Sequence, residues 1–507
     1  MKRKLFLIAL ILIFIIFIMA FQIGFSRFPY FKVILFEDVS TITKESPYHI
    51  VWYHIGTPQK DTELVFNEVS KYTLQKINAT VEMRLIDWGS YNEEMEKIIA
   101  SREKFDICFT AAYSNYVHNS GKGAFFEIDS LLETYGQGII EVTSPLLFEG
   151  AKINGKLYAV PLNKEVGHQN ALTFNKQYID KYCFDLSKIT KLEDIEPWLQ
   201  IIKEKEPDII PYLIESTFNN SFALPFDRIV EGIPGALYYD NRTGYKVINE
   251  LNTPVYKEYF KTMHKWYKAR YIHQESVYTK QLSEYQKKGN WFASVVSYTP
   301  HVDISLSLRF GYDVEVVPLN IPVVENRDCR GSMLAISSTS QNPQKAMMFL
   351  ELLSTDKYLY NLVTYGVEGV HYIKNNEYTF KYPDGINEFT TSYTLAPFTS
   401  GNMMLSYINI NFPRSLFDDY KIFSNSVLES PLLGFDFDPT NVKKEISALL
   451  SISSQFEGPL KTGAVDPDIY LPKAIEKYKS AGLDIVLEEQ QRQLDEWLLQ
   501  KGISTLN

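Results

Sequence analysis

The chain has 507 residues, 45% hydrophobic and 22% charged, with a formal net charge of −10. Such a composition is globular, supplies a large core, and at about 100–200 residues per domain suggests two to four folding units. The mildly acidic balance and the lack of a concentrated basic face exclude nucleic acid as the main partner.

Lys2, Arg3 and Lys4 precede an uncharged stretch from Leu5 to Phe25. As a helix this stretch is roughly 31 Å long, enough to cross a hydrocarbon core of about 30 Å. Cationic residues before such a span leave the N-terminus inside and send the rest of the chain outward. The small-residue site near Ala20 has bulky Ile18 two positions before it. The reading is therefore an uncleaved signal-anchor over residues 1–30 rather than a removed signal peptide.

After the anchor, Tyr48–Ile55 reads as a strand closed by Gly56-Thr57-Pro58. Asp61–Lys76 places Leu64, Val65, Val69, Tyr72 and Leu74 at near-helical spacing. A strand over Thr80–Asp87, a helix over Tyr91–Ala100 and a short strand over Phe105–Thr110 follow. Alternating strand and helix is the pattern of a parallel sheet with right-handed crossovers. In open sheets of this kind ligands sit beyond the carboxyl ends of the strands, here His54-Ile55-Gly56, Asp87-Trp88-Gly89 and Thr110–Tyr113.

A second block begins with a turn into a short strand near Gly155–Pro161 and continues through helical stretches at Lys191–Lys205 and Pro254–Tyr267. Strands are expected at Trp291–Tyr298, Tyr312–Pro318 and Gly331–Ile336. Asn342-Pro343 then caps and opens a helix running through Tyr360. A loop-rich stretch, Tyr382–Phe412, precedes Pro439–Leu450 and a final helix sharing Leu483, Val486, Leu494, Trp497 and Leu498 on one face. No solenoid-length repeat and no low-complexity segment is present. The cysteines Cys108, Cys183 and Cys329, odd in number and far apart, give neither a disulfide framework nor a CxxC metal pair. Cys108 and Trp291 lie in apolar runs and are expected in the core.

The stretch Glu149–Asn175, EGAKINGKLYAVPLNKEVGHQNALTFN, resembles the hinge crossing of extracellular solute-binding proteins of the maltose-binding type. The return through Gly311–Pro318, Gly331–Ile336 and the helix after Asn342-Pro343 is similar too. The likeness is greater to the large lipoprotein-like branch of Gram-positive bacteria, with its extra C-terminal region. It rests there on Asp356–Leu362, Tyr365–Tyr372, Leu433–Pro439, Thr462–Pro467 and Gln493–Trp497. Relatives of that branch resemble lipoproteins, whereas no cysteine occurs here before Cys108, so the apolar segment itself must do the anchoring.

The resemblance implies a two-lobed α/β fold of the periplasmic-binding-protein type (type II), with hinge-joined lobes around a central ligand cleft. Residues 45–163 and 317–355 would form the first lobe, 164–316 the second, and 356–507 a C-terminal region packed on both. It implies capture of a small solute, an oligosaccharide at family level, and delivery to the permease subunits of an ABC importer at the outer face of the membrane. Closure would follow from the ligand's greater affinity for the closed state.

A sugar site needs aromatic faces for ring C–H groups and carboxylates or amides for hydroxyls. Trp88 and Tyr113, just past strand ends, and Tyr298, at the end of a strand before Thr299-Pro300, supply rings. Glu165, four residues after Pro161, stands where the maltose-binding type has a cleft carboxylate, and His168 follows on the same wall. Arg327, in the Asn326–Arg330 loop, is placed near the hinge return. No cofactor or metal is expected: GxSxG, HExxH and GxxxxGK[ST] are absent. Asp436, Asp438, Asp466 and Asp468 lack the glycine and distal glutamate of a calcium loop and read as turns and helix caps. The chain is accordingly read as a binder and not an enzyme. The alternatives are a sensory co-receptor using the same cleft, and a glycoside hydrolase, which needs only two suitably separated carboxylates.

Overall fold

A computed structural model of the protein describes residues 46–215, 224–278 and 282–503. The expected anchor over residues 1–30 lies outside them. Among the described residues no helix is long and apolar enough to cross a membrane. The chain builds two larger sheets from strands β1 (Tyr48–Ile55), β2 (Ala79–Ile86), β3 (Ile107–Thr110), β4 (Val160–Pro161), β5 (Gln169–Asn175), β6 (Ile210–Leu213), β7 (Trp291–Tyr298), β8 (Val314–Pro318) and β9 (Met333–Ile336).

The first sheet has the order β2-β1-β3-β9-β4. β1 runs parallel to both β2 and β3, as the alternation of strands and helices requires, while β9 enters antiparallel between β3 and β4. Its central strand β3 is buried along its whole length, the mark of a strand covered on both faces. Helix Thr62–Ile77 buries Val65, Phe66, Val69, Thr73 and Ile77 and ends at Asn78 in the left-handed region. Leu64 and Leu74, expected on that face, are 47% and 36% exposed instead. The buried stripe is rotated because Thr73 Oγ1 bonds the Ala79 carbonyl at 2.7 Å, turning that polar residue inward at the helix-to-strand corner.

The second sheet, β8-β5-β7-β6, is mixed. β5 lies antiparallel to β7 and β8, and β6 parallel to β7. Trp291 at the start of β7 is fully buried, and its indole N–H donates to Tyr312 Oη at 2.8 Å.

The helix expected from Pro343 through Tyr360 is two helices, Pro343–Thr355 and Lys357–Tyr365. Asp356 breaks it: its side chain accepts from Leu359 N and from Tyr72 Oη, so the backbone leaves the helical track there. Asp438 and Asp466 are helix caps, accepting from Thr440 N and Asp468 N. Asp436 makes an ion pair with Arg330 at 2.8 Å.

Residues beyond 356 divide between the two cores. Leu359, Leu362, Val363, Tyr393 and Leu395 join the core of the first sheet. Val442, Leu449, Phe456, Leu460, Leu471, Tyr478 and Val486 join the core of the second. The helices Lys443–Lys461, Pro467–Ser480 and Leu483–Gln500 are thus built into the second core. Arg228 seals that joint, its Nε 2.6 Å from buried Glu250 and its Nη1 3.0 Å from Glu457 of helix Lys443–Lys461.

Candidate functional site

Three chain segments meet where the sheets are joined. His168 exchanges backbone hydrogen bonds with Val323 at 2.7 and 2.9 Å, and Val323–Val324 pairs in parallel with Leu428–Glu429. Gly167 makes this crossing possible: its φ is +91°, and a Cβ there would lie 2.6 Å from the Val323 carbonyl oxygen.

At the carboxyl ends of the first sheet, Trp88 and Tyr113 are 42% and 52% exposed. Trp88 follows β2 in the turn made by Asp87, whose Oδ1 accepts from Gly89 N at 3.0 Å. Tyr113 follows β3, its ring 6.3 Å from Phe109 and its carbonyl held by Asn92 at 2.9 Å. Desolvation pushes its phenol up to about 12.

A segment of the loop-rich stretch Tyr382–Phe412, which forms a short helix at Pro397–Ser400, packs at these strand ends. Phe398, at the start of the short helix Pro397–Ser400, lies 6.4 Å from Trp88 between ring centres. The segment is fixed to the first sheet by Ser332 Oγ on the Phe398 carbonyl (2.6 Å), His54 Nε2 on Thr399 Oγ1 (3.1 Å), and Asn163 on Asn402 (3.0 Å).

Two residues past Asn163, Glu165 is mostly buried, and among the described residues its carboxylate pairs only with the Lys164 ammonium, at 3.5 Å. Helix Leu416–Ser424 faces it. Ser424 Oγ accepts from Val166 N at 2.9 Å, tying that helix to the hinge. Asp419 pairs with His301 at 2.7 Å and Phe423 lies 6.1 Å from Tyr298, tying it to the end of β7. Burial, and then the Glu165 carboxylate, raise the Tyr420 phenol. Burial also raises Tyr298, helped by Asp303 and Asp419. The hydroxyls of Tyr113, Tyr298 and Tyr420 have no hydrogen-bond partner among the described residues.

His168 and Arg327 come together in a different group. His168 Nδ1 is 2.8 Å from Asp328 Oδ2, and Arg327 Nη2 is 3.0 Å from His168 Nε2. Arg327 Nε lies on Glu325 Oε2 at 2.5 Å, while Tyr239 donates to the other oxygen of that carboxylate. Burial raises Glu325. Burial also pushes on Asp328, but its partner His168, and then Arg327, outweigh it and hold that carboxyl below its ordinary value. The fold brings potential metal ligands of His168, Glu325 and Asp328 within 4.8 Å of one another, a grouping hidden by their separation in sequence. Arg327 already places positive charge on Glu325 and a donor on His168, so an ion-pair network accounts for the cluster without a cation.

The structure thus links Trp88 to Phe398, and ties the helix that carries Tyr420 and Phe423 to Val166, next to Glu165, and to Tyr298. It sets His168 and Arg327 in their own network. Phe398 was not anticipated, since a single aromatic residue in a loop-rich stretch carries no periodicity that marks it; Tyr420 and Phe423 lie beyond that stretch on helix Leu416–Ser424, and the helical spacing of Leu416, Phe417, Tyr420 and Phe423 was the signal that could have found them.

Residues 431–499 match a family described as a domain of unknown function (DUF3502). A carbohydrate ABC transporter substrate-binding protein of Streptococcus pneumoniae serotype 4 (strain ATCC BAA-334 / TIGR4) is 33% identical over 459 residues, 89% of this chain and 91% of that protein. The crystal structure of the N-glycan transport solute-binding protein NgtS from Streptococcus pneumoniae is similar at a TM-score of 0.83 and 32% identity, covering 90% of this chain and 100% of that one. The same protein is known in complex with Man5GlcNAc and with Man1GlcNAc. An extracellular solute-binding protein from Bifidobacterium longum subsp. infantis, 16% identical, shares the fold at a TM-score of 0.63 over 89% of this chain and 99% of that one. With its two-lobed α/β fold and this extent of identity, the chain belongs to the substrate-binding proteins of carbohydrate ABC transporters, which bind and do not catalyse.

Proposed function

We propose that this protein captures a mannose-containing oligosaccharide of the N-glycan type between its lobes and presents it to ABC permease subunits. Trp88 and Tyr113 offer rings from the lobe of residues 45–163 and 317–355, and Tyr298 from the lobe of residues 164–316. Glu165 takes sugar hydroxyls at the hinge. The observation that carries this reading is the half-satisfied state of the site. Among the described residues a mostly buried carboxylate pairs with one lysine, Trp88 at the strand ends is exposed, and buried acceptors normally have partners. His168 and Arg327, paired with each other and with Asp328 and Glu325, stiffen the hinge beneath the ligand. The glycan class is supported by the ligands named for NgtS. The apolar stretch Leu5–Phe25 would tether the protein to the outer face of the membrane.

Tryptophan fluorescence and thermal melting with Man1GlcNAc and Man5GlcNAc test the ligand class. A glycan at 100 times its Kd should stabilise the folded state by about 2.7 kcal/mol. Unchanged melting and emission with both glycans would overturn the N-glycan assignment. Cell fractionation tests the tether: the full chain should follow the membrane, and recovery in the soluble fraction would refute it.

A further inference from the structure

We infer that the C-terminal region supplies a third wall of the ligand site, with Tyr420 acting beside Glu165 and Phe398 extending the ring surface of Trp88. This rests on the oligosaccharide reading above and names the residues that would set its selectivity.

Residues 396–402 are fixed to the first sheet through His54, Asn163 and Ser332. Helix Leu416–Ser424 is fixed to the hinge through Val166 and to the second lobe through His301. One stretch of chain therefore lies along both halves of the site, and each end carries an aromatic residue next to one already assigned to it.

The chemistry of each end is distinct. Trp88 and Phe398, 6.4 Å apart and inclined by 41°, are too close to hold a sugar between them. They form one bent surface instead, on which successive sugar rings can lie. Phe398 is 37% exposed, so the surface is open. Tyr420 is half-buried on the helix whose Ser424 Oγ accepts from Val166 N, the residue next to Glu165, and its hydroxyl has no protein partner among the described residues. A phenol donates one hydrogen bond and a carboxylate only accepts. Together they can bracket adjacent sugar hydroxyls, one accepting from Tyr420 and the next donating to Glu165.

The test uses the full chain with Man1GlcNAc and Man5GlcNAc as probes, measuring affinity by calorimetry and the melting temperature of the unliganded protein. Tyr420→Phe deletes one oxygen that bonds nothing among the described residues, so the unliganded melting temperature should stay unchanged. Affinity for both glycans should fall about tenfold, the scale of one lost hydrogen bond. In Glu165→Gln the same Tyr420→Phe change should cost measurably less, because the two groups act on neighbouring hydroxyls. Phe398→Ala should weaken Man5GlcNAc by about tenfold or more, the scale of a central aromatic contact, and Man1GlcNAc less. Phe398→Tyr should restore binding. If wild type binds and Trp88→Ala weakens it while Tyr420→Phe and Phe398→Ala bind as wild type does, the third wall is refuted and the cleft reading stands. If wild type binds neither glycan, both fall together.

Discussion

Arg327 Nη2 stands 3.0 Å from His168 Nε2, and this contact joins the segment that leaves the first lobe to the one that returns to it. Both residues are committed elsewhere as well, His168 to Asp328 and Arg327 to Glu325. A bending crossing needs its segments held in register, and a paired polar cluster does so directionally.

His168→Ala should therefore act on stability more than on binding. Removing the imidazole leaves Asp328 and Arg327 without their shared partner, a loss of about 1–3 kcal/mol. Urea unfolding of wild type and variant would measure it. An unchanged midpoint together with lost glycan affinity would instead make His168 a ligand contact.

Glu165→Gln should show the opposite balance. The amide keeps the shape but weakens the acceptor, and hydrogen bonds to charged groups contribute about 1.5–3 kcal/mol, so affinity should fall by at least about tenfold. Trp88→Ala should weaken binding similarly and diminish the ligand-induced fluorescence change, since Trp52, Trp266 and Trp291 are fully buried and Trp198 and Trp497 are packed on Phe184 and Phe435. Calorimetry and emission spectra would check both, and intact binding in both variants would remove these residues from the site.

The segment of unknown function, residues 431–499, should prove inseparable from the second lobe. Arg228→Met strands Glu250, fully buried, and deprives Glu457 of a partner. Breaking a buried pair on one side costs about 3–5 kcal/mol. Denaturant unfolding should show that loss in the transition of the whole second lobe. A separate, earlier transition of the C-terminal helices alone would contradict the shared core.

Acid should weaken the protein through His54, fully buried at the end of β1 with its Nδ1 unpartnered among the described residues. Desolvation lowers its pKa from 6.5 to about 3. The unfolded chain takes up this proton and the folded one does not, so stability is lost as pH falls from about 6.5 towards about 3. In His54→Gln the slope of unfolding free energy against pH across that window should be shallower by up to one proton. An identical slope would show that His54 titrates normally in the folded state.

Much of the fold was open to reading along the chain. The bounds of β1, β7 and helix Tyr91–Ala100 follow from local patterns: β-branched and aromatic runs closed by glycine, and polar periodicity between strands. The split at Asp356 was missed because a capping aspartate competes with helix continuation only once Tyr72 arrives from a distant helix to hold it. Glu165 and Trp88 were nameable in advance because each stands at a fixed offset from a strand end or the hinge motif. Phe398 and Tyr420 occupy no such offset, and what makes them candidates is that Ser332, Asn163, Val166 and His301, scattered over the earlier chain, hold their segments in place. By itself the sequence determined the elements, the class of fold and the family, because those depend on periodicity and on contiguous motifs. Which polar groups are spent on one another and which are left free for a ligand was decided by the tertiary structure, because hydrogen-bond saturation is a property of neighbours in space.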